Sequence, residues 1–138
     1  IWVSENGHLE IVKYLVENGA KINIKDEYGD TALILAFEKD YLEIVKLLVQ
    51  NGAKIDLQDK YGRTALIWAS YYDHLDIVKY LVENKADLDI KNNENKTALY
   101  YQRKNIQYIK TFIQFKHYLT KIKQLKRKNI SFNQFIIL

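Results

Sequence analysis

Thr31, Thr64 and Thr97 stand 33 residues apart, and each is followed by Ala-Leu. The match extends upstream: Asp26-Glu27-Tyr28-Gly29-Asp30 precedes the first, Asp59-Lys60-Tyr61-Gly62-Arg63 the second, and Asn92-Asn93-Glu94-Asn95-Lys96 the third. Leu9, Leu42 and Leu75 keep the same step through the second half of the unit. A fixed period of this length constrains the fold more than any figure of composition. Each unit is a supersecondary element that cannot bury its own apolar face, so neighbours must stack and share one continuous core.

The residues of one unit predict its shape. Gly29 and Gly62 suit a tight turn that demands positive φ, and Asp26 and Asp59 can accept hydrogen bonds from the turn backbone. Thr31 and Thr64 are placed to cap a short helix beginning Ala-Leu, with small Ala36 and Ala69 where another helix approaches. Asp40-Tyr41-Leu42-Glu43 and Asp73-His74-Leu75-Asp76 read as an Asp N-cap with an acid three residues on, starting a second helix. That helix is amphipathic: Leu42, Val45, Leu48 and Val49, like Leu75, Val78, Leu81 and Val82, recur at helical spacing, with Glu43, Lys46, Asp76 and Lys79 turned outward. Asn18-Gly19 and Asn51-Gly52 close it with a left-handed Gly, and Lys85 takes that strained place in the third unit.

A turn and two antiparallel helices every 33 residues, with the run Gly7-His8-Leu9-Glu10-Ile11-Val12-Lys13-Tyr14-Leu15-Val16-Glu17-Asn18-Gly19-Ala20, resembles the ankyrin repeat family over residues 1 to 113. The resemblance implies an all-α solenoid of stacked helix pairs. Its units are a partial first at 1–25, complete ones at 26–58 and 59–91, and a degenerate fourth at 92–113. Two departures from the family signature Thr-Pro-Leu-His-x-Ala recur: Ala32, Ala65 and Ala98 replace Pro, and Ile34, Ile67 and Tyr100 replace His. Loss of that His removes a polar link between units, so a looser array is expected. In the fourth unit Gln102 stands where Ala36 and Ala69 stand. A two-residue deletion there puts Ile106, Tyr108, Ile109, Phe112 and Ile113 in the register of the second helix. The chain opens at Ile1-Trp2-Val3 as if inside a first helix, so a longer parent is expected.

Charge divides the chain. Residues 1–94 hold all 17 acidic groups and 11 of the 21 basic ones, a net of −6, while residues 95–138 hold 10 basic groups and no acid. Residues 114–138 form the expected basic amphipathic helix, reaching about Lys128, and an apolar tail. With no cysteine the chain has no disulfide or thiolate metal site. An intracellular setting is expected, cytoplasmic rather than nuclear. His8 and His74 occupy one repeat position beside a helix start and read as structural. No phosphate loop, metal spacing or Ser-His-acid set is present in the sequence, so neither enzyme activity nor a cofactor is expected.

Solenoid geometry puts the turns and first helices on one concave strip, where residues that differ between units are the candidates for contact. The family's variable surface falls on Glu27, Tyr28, Asp30, Glu38 and Lys39, and on Lys60, Tyr61, Arg63, Trp68, Tyr71 and Tyr72. Tyr, Trp and Arg dominate interface energetics, which points to the third unit. Tyr28 and Tyr61, at equivalent places, can instead brace their turns. The expected function is a monomeric, non-catalytic scaffold for another protein. The alternative is association of the basic C-terminal segment with nucleic acid or an anionic membrane.

Overall fold

The computed structural model describes residue 3 and residues 8–37, 41–102, 111, 114, 115 and 118–124. Among these are six helices: α1 (Leu9–Glu17), α2 (Ala32–Leu35), α3 (Leu42–Gln50), α4 (Ala65–Tyr71), α5 (Leu75–Glu83) and α6 (Ala98–Tyr101), with no strand among the described residues. The chain divides into two compact units, Ile1–Arg103 and Lys104–Leu138, and all six helices lie in the first. In the second, residues 111, 114, 115 and 118–124 are helical. The second-helix register proposed for Ile106 to Ile113, the stretch beyond Gln124 and the candidates Glu38 and Lys39 fall outside the described residues.

The short helices start as the threonines dictate. Thr31 and Thr64 have extended backbones, and their hydroxyls accept from the Ile34 and Ile67 N–H groups, each at 3.2 Å. Each bond satisfies a donor that the first helical turn leaves open. Thr97 occupies the same cap position without a side-chain hydrogen bond.

The longer helices stop as expected. Gly19 and Gly52 have φ of 80° and 90°, and Ala20 N–H donates to the Leu15 carbonyl at 3.0 Å and Ala53 N–H to that of Leu48 at 2.9 Å. Lys85, with φ 69°, makes the same closure through Ala86 N–H to the Leu81 carbonyl at 3.0 Å. A side chain is thus forced into the left-handed well in the third unit, at about 1 kcal/mol.

The aspartate caps are corrected. The N-cap residues of α1, α3 and α5 are His8, Tyr41 and His74, none with a side-chain cap bond, and Asp40 lies outside the described residues. Asp73 stands one position earlier with φ 62°, flanked by bonds from its own N–H to the Ser70 carbonyl at 3.4 Å and from His74 N–H to the Ala69 carbonyl at 2.9 Å. That pairing ends α4 with the left-handed closure seen after the long helices, so the N-cap position of α5 belongs to His74 and the Asp73 backbone terminates the preceding helix. The connection is too short for separate stop and start residues.

The core lies between successive helix pairs. α1 packs on α3 and α3 on α5, α2 packs on α4 and α4 on α6, and within units α2 meets α3 and α4 meets α5. Leu33, Ile34, Ile44, Val45, Leu48, Leu66, Ile67, Ile77, Val78 and Leu81 are buried, while Leu42, Val49, Leu75 and Val82 are half-buried. Ala36 and Ala69 are fully covered, and Gln102 in their register is buried, its amide 3.5 Å from the Ser70 carbonyl. On α1, Ile11, Tyr14 and Leu15 are exposed.

Polar links between units run through loops in place of the missing histidine. Lys60 N–H donates to the Tyr28 carbonyl and Asn93 N–H to that of Tyr61, both at 3.0 Å. Asn23 and Asp56, one period apart, accept from the N–H groups of Lys54 at 2.7 Å and Asp87 at 3.0 Å. These bonds fix the register of adjacent turns, which carry the candidate surface.

Candidate functional site

Asp59 organises the third turn. Its Oδ1 accepts from the backbone N–H groups of Tyr61 at 2.8 Å and Arg63 at 2.9 Å, which holds the tight turn through Gly62. Its Oδ2 accepts from Arg63 Nε at 2.7 Å and from Trp68 Nε1 at 3.1 Å. The Asp59 side chain is only 1% exposed, so its charge is neutralised by charge-assisted bonds and not by water. Arg63 in turn lies over aromatic rings, its guanidinium carbon 3.7 Å from the Trp68 centroid and 4.2 Å from that of Tyr61. Turn and first helix of the unit are therefore tied by one carboxylate, and the position of Trp68 follows from it.

From Trp68 the rings continue in both directions. Phe37, just after α2, stacks on Trp68 with centroids 5.0 Å apart and on Tyr72 at 5.6 Å. Tyr71 meets Trp68 edge-on at 6.1 Å and Tyr72 at 5.1 Å, then touches Tyr101 of α6 at 5.4 Å, which meets Tyr100 at 5.2 Å. Tyr71 and Tyr72 remain 59% and 46% exposed, whereas Phe37 is buried and Trp68 half-buried. Inner rings thus hold the outer ones in place.

Two clefts flank this wall. One of about 310 Å³ is lined by Asp26, Tyr28, Asp30, Ile34, Leu35, Phe37, Trp68 and Tyr72, and the other, of about 260 Å³, by Arg63, Ile67, Trp68, Tyr71, Tyr72, Asn92, Glu94 and Tyr101. In the first, Asp30 Oδ1 is buried without a hydrogen-bond partner. Burial, then the charges of Asp26 and Asp59, push the Asp30 carboxyl up to about 6, against the opposing pull of Arg63 and Lys60.

The structure brings Arg63, Trp68, Tyr71 and Tyr72 together, and it gives Arg63 and Trp68 internal partners that the sequence reading did not assign. Tyr28 and Tyr61 are half-exposed, and Lys60 Nζ sits 4.0 Å from one ring centroid and 5.2 Å from the other, so both also serve as braces. Glu27 and Lys60 are exposed. Sequence reasoning missed Phe37, Tyr101 and the second role of Asp59. A signal for the last exists: a polar aromatic residue stands nine positions after Asp59 and again after Asn92, where the direction reverses and Asn92 Nδ2 donates to the Tyr101 hydroxyl at 3.0 Å. Among the described residues no cluster of His, Asp and Glu could hold a metal ion, and no helix is long and apolar enough to cross a membrane.

Stacked helix pairs joined by hydrogen-bonded turns define a helical repeat solenoid, a class that presents an extended surface for contact. Family models for ankyrin repeats match the chain: one of three copies over residues 1–59 and one of many copies over residues 48–101. The chain belongs to the ankyrin repeat family, whose members are generally protein–protein interaction modules and typically non-enzymatic. A search of curated proteins returns no match.

Proposed function

We propose that this array binds a protein partner on the surface formed by its turns and first helices, centred on Trp68, Tyr71, Tyr72 and Arg63. Tyr28, Asp30, Lys60 and Tyr61 stand around that centre with Glu27 beside them, and the repeat register of the sequence assigns Glu38 and Lys39 to the same candidate set. The observation that carries the reading is the continuous aromatic run from Phe37 to Tyr100, ring packed on ring within and exposed at Tyr71 and Tyr72. Pre-positioned rings contribute contact area at little cost in side-chain entropy, which is how aromatic anchors come to dominate interfaces. The partner is another protein, the array acts as a monomer in an intracellular setting, and no cofactor takes part. The alternative, nucleic acid or an anionic membrane held by the basic segment, rests on charge alone.

The test is a peptide-display selection against the full chain, followed by affinity measurements on variants. Because Trp68 also bonds Asp59, Tyr71→Ala and Tyr72→Ala report binding most cleanly, each with an expected loss of about 2 kcal/mol, roughly thirtyfold. A set of Ala substitutions at Glu43, Lys46, Asp76 and Lys79 on α3 and α5 should change affinity little. If that set weakens the selected binder more than the tyrosines do, the surface is misassigned. Binding that collapses between low and moderate salt and needs residues 114–138 would favour the alternative.

A further inference from the structure

We infer that the cleft between the second turn with α2 and the α4 helix of the next unit receives one basic side chain of the protein partner, arginine or lysine, with the Asp30 carboxylate as its counter-ion and the Phe37, Trp68 and Tyr72 rings as its flank. The inference rests on the reading that a protein docks on this face, and it names what that protein must present here. Size comes first. At about 310 Å³ the cleft lies at the bottom of the roughly 300–1,000 Å³ range of ligand pockets, which suits one extended side chain.

Charge decides the chemistry. The ionisable groups lining the cleft apart from its tyrosines are Asp26 and Asp30. Asp26 Oδ1 already accepts from Tyr28 N–H at 2.8 Å and Asp30 N–H at 2.9 Å, so the turn consumes it. Asp30 Oδ1 is left buried with no partner. An ionised carboxylate only accepts hydrogen bonds, so a fitting occupant must donate. An acidic group would be repelled, and an apolar anchor would leave the carboxylate without a donor.

The flank favours a cation over a neutral donor. On this surface the protein already lays its own cations over ring faces, Arg63 on Trp68 at 3.7 Å and Lys60 on Tyr28 at 4.0 Å. Arg63 is committed to Asp59 Oδ2. The charges that face Asp30 are Asp26, Asp59, Lys60 and Arg63, and with burial they leave its carboxyl titrating at about 6. A bound cation favours the ionised form, so binding expels the proton. The sign follows: affinity is full above pH 7 and falls about tenfold by pH 5, where the free protein holds the proton.

The probe is acetyl-arginine amide, with acetyl-citrulline amide as its uncharged counterpart of similar shape, titrated into the isotope-labelled full chain. The Trp68 indole and Asp30 backbone N–H signals are followed at pH 7.5 and pH 5. The arginine probe should perturb both signals and bind at least tenfold more tightly than citrulline at pH 7.5, and Asp30→Asn should erase that preference. Because Tyr72 also stacks on His74, at 6.0 Å, His74→Gln is titrated too and should retain the pH dependence. Equal response to both probes, a preference that survives Asp30→Asn, or no response at the probe's solubility limit would each overturn the inference. The comparison of probes on the unaltered chain does not depend on how any variant folds. A display-selected peptide that requires Tyr71 and Tyr72 but ignores Asp30→Asn would leave the docking surface standing and sink this inference alone.

Discussion

The second and third turns share a backbone and differ in what their side chains complete. In both, an aspartate Oδ1 accepts two N–H groups: Tyr28 and Asp30 for Asp26, Tyr61 and Arg63 for Asp59. In both, a glycine with positive φ is pressed against the next turn, so that a Cβ on Gly29 would stand 2.9 Å from the Lys60 nitrogen and one on Gly62 would stand 3.0 Å from that of Asn93. The difference that bears on the second carboxylate oxygen is at two positions. Where the third turn has Arg63 and Trp68, both bonded to Asp59 Oδ2, the second has Asp30 and Leu35, which offer no donor. The repeat fixes the turn, and the variable residues decide whether its charge is satisfied within the protein or left for something outside it.

The largest effect should come from removing each turn's aspartate. Asp59→Ala strips acceptors from two backbone amides, an arginine and an indole at once, and should cost about 3 kcal/mol in a urea melt. Asp26→Ala loses the two backbone bonds shown for its Oδ1 and should cost about 1 kcal/mol. Equal losses would mean that the Oδ2 bonds to Arg63 and Trp68 add nothing, and the contrast between the turns would be one of geometry without energy.

The next test inverts the sign. Asp30 has its folded-state pKa raised from 3.8 to about 6, so its favourable contribution is fully present below the unfolded value and is lost as pH rises through 6. Asp30→Asn should therefore stabilise the protein at pH 7.5, by on the order of 1 kcal/mol once solvent screening of this incompletely buried carboxyl is allowed for. The gain should shrink below pH 6 and vanish near pH 4. Urea melts at three pH values measure it, and a loss of stability at pH 7.5 would show that Asp30 is satisfied in the free protein.

The same contrast shows what the sequence could and could not reveal. The fold was legible because a repeated backbone role leaves a repeated residue: Thr31 and Thr64 cap, Gly29 and Gly62 turn, and Leu48 and Leu81 are buried. Asp73 was misread because an aspartate two residues before a helix and a left-handed residue after one occupy the same place in so short a connection. For the candidate surface, Tyr71 and Tyr72 stood out against the charged Glu38 and Lys39 one period earlier. Phe37 did not, because its counterparts Ser70 and Arg103 share no property with it and its role depends on Trp68 of the next unit. The orphaned Asp30 oxygen was illegible for the same reason, since a missing partner leaves no residue to read.

The smallest effect concerns the residue that joins the two turns. Lys60 occupies the place of Glu27 and Asn93, and its Nζ lies 4.0 Å from the Tyr28 centroid and 5.2 Å from that of Tyr61. Its backbone N–H bond to the Tyr28 carbonyl would survive truncation. Lys60→Ala should therefore cost only about 0.5 kcal/mol, the value of an exposed cation over a ring. Its electrostatic consequence is more telling. Lys60 is one of two cations that hold the Asp30 carboxyl down against burial and its acidic neighbours, so its removal should move that titration up from about 6. Carboxyl chemical shifts followed against pH would show the change. An Asp30 that titrates unchanged in Lys60→Ala would mean that Lys60 does not reach the second turn through its charge, and would leave Asp59 and Arg63 as the third-turn charges that act on Asp30.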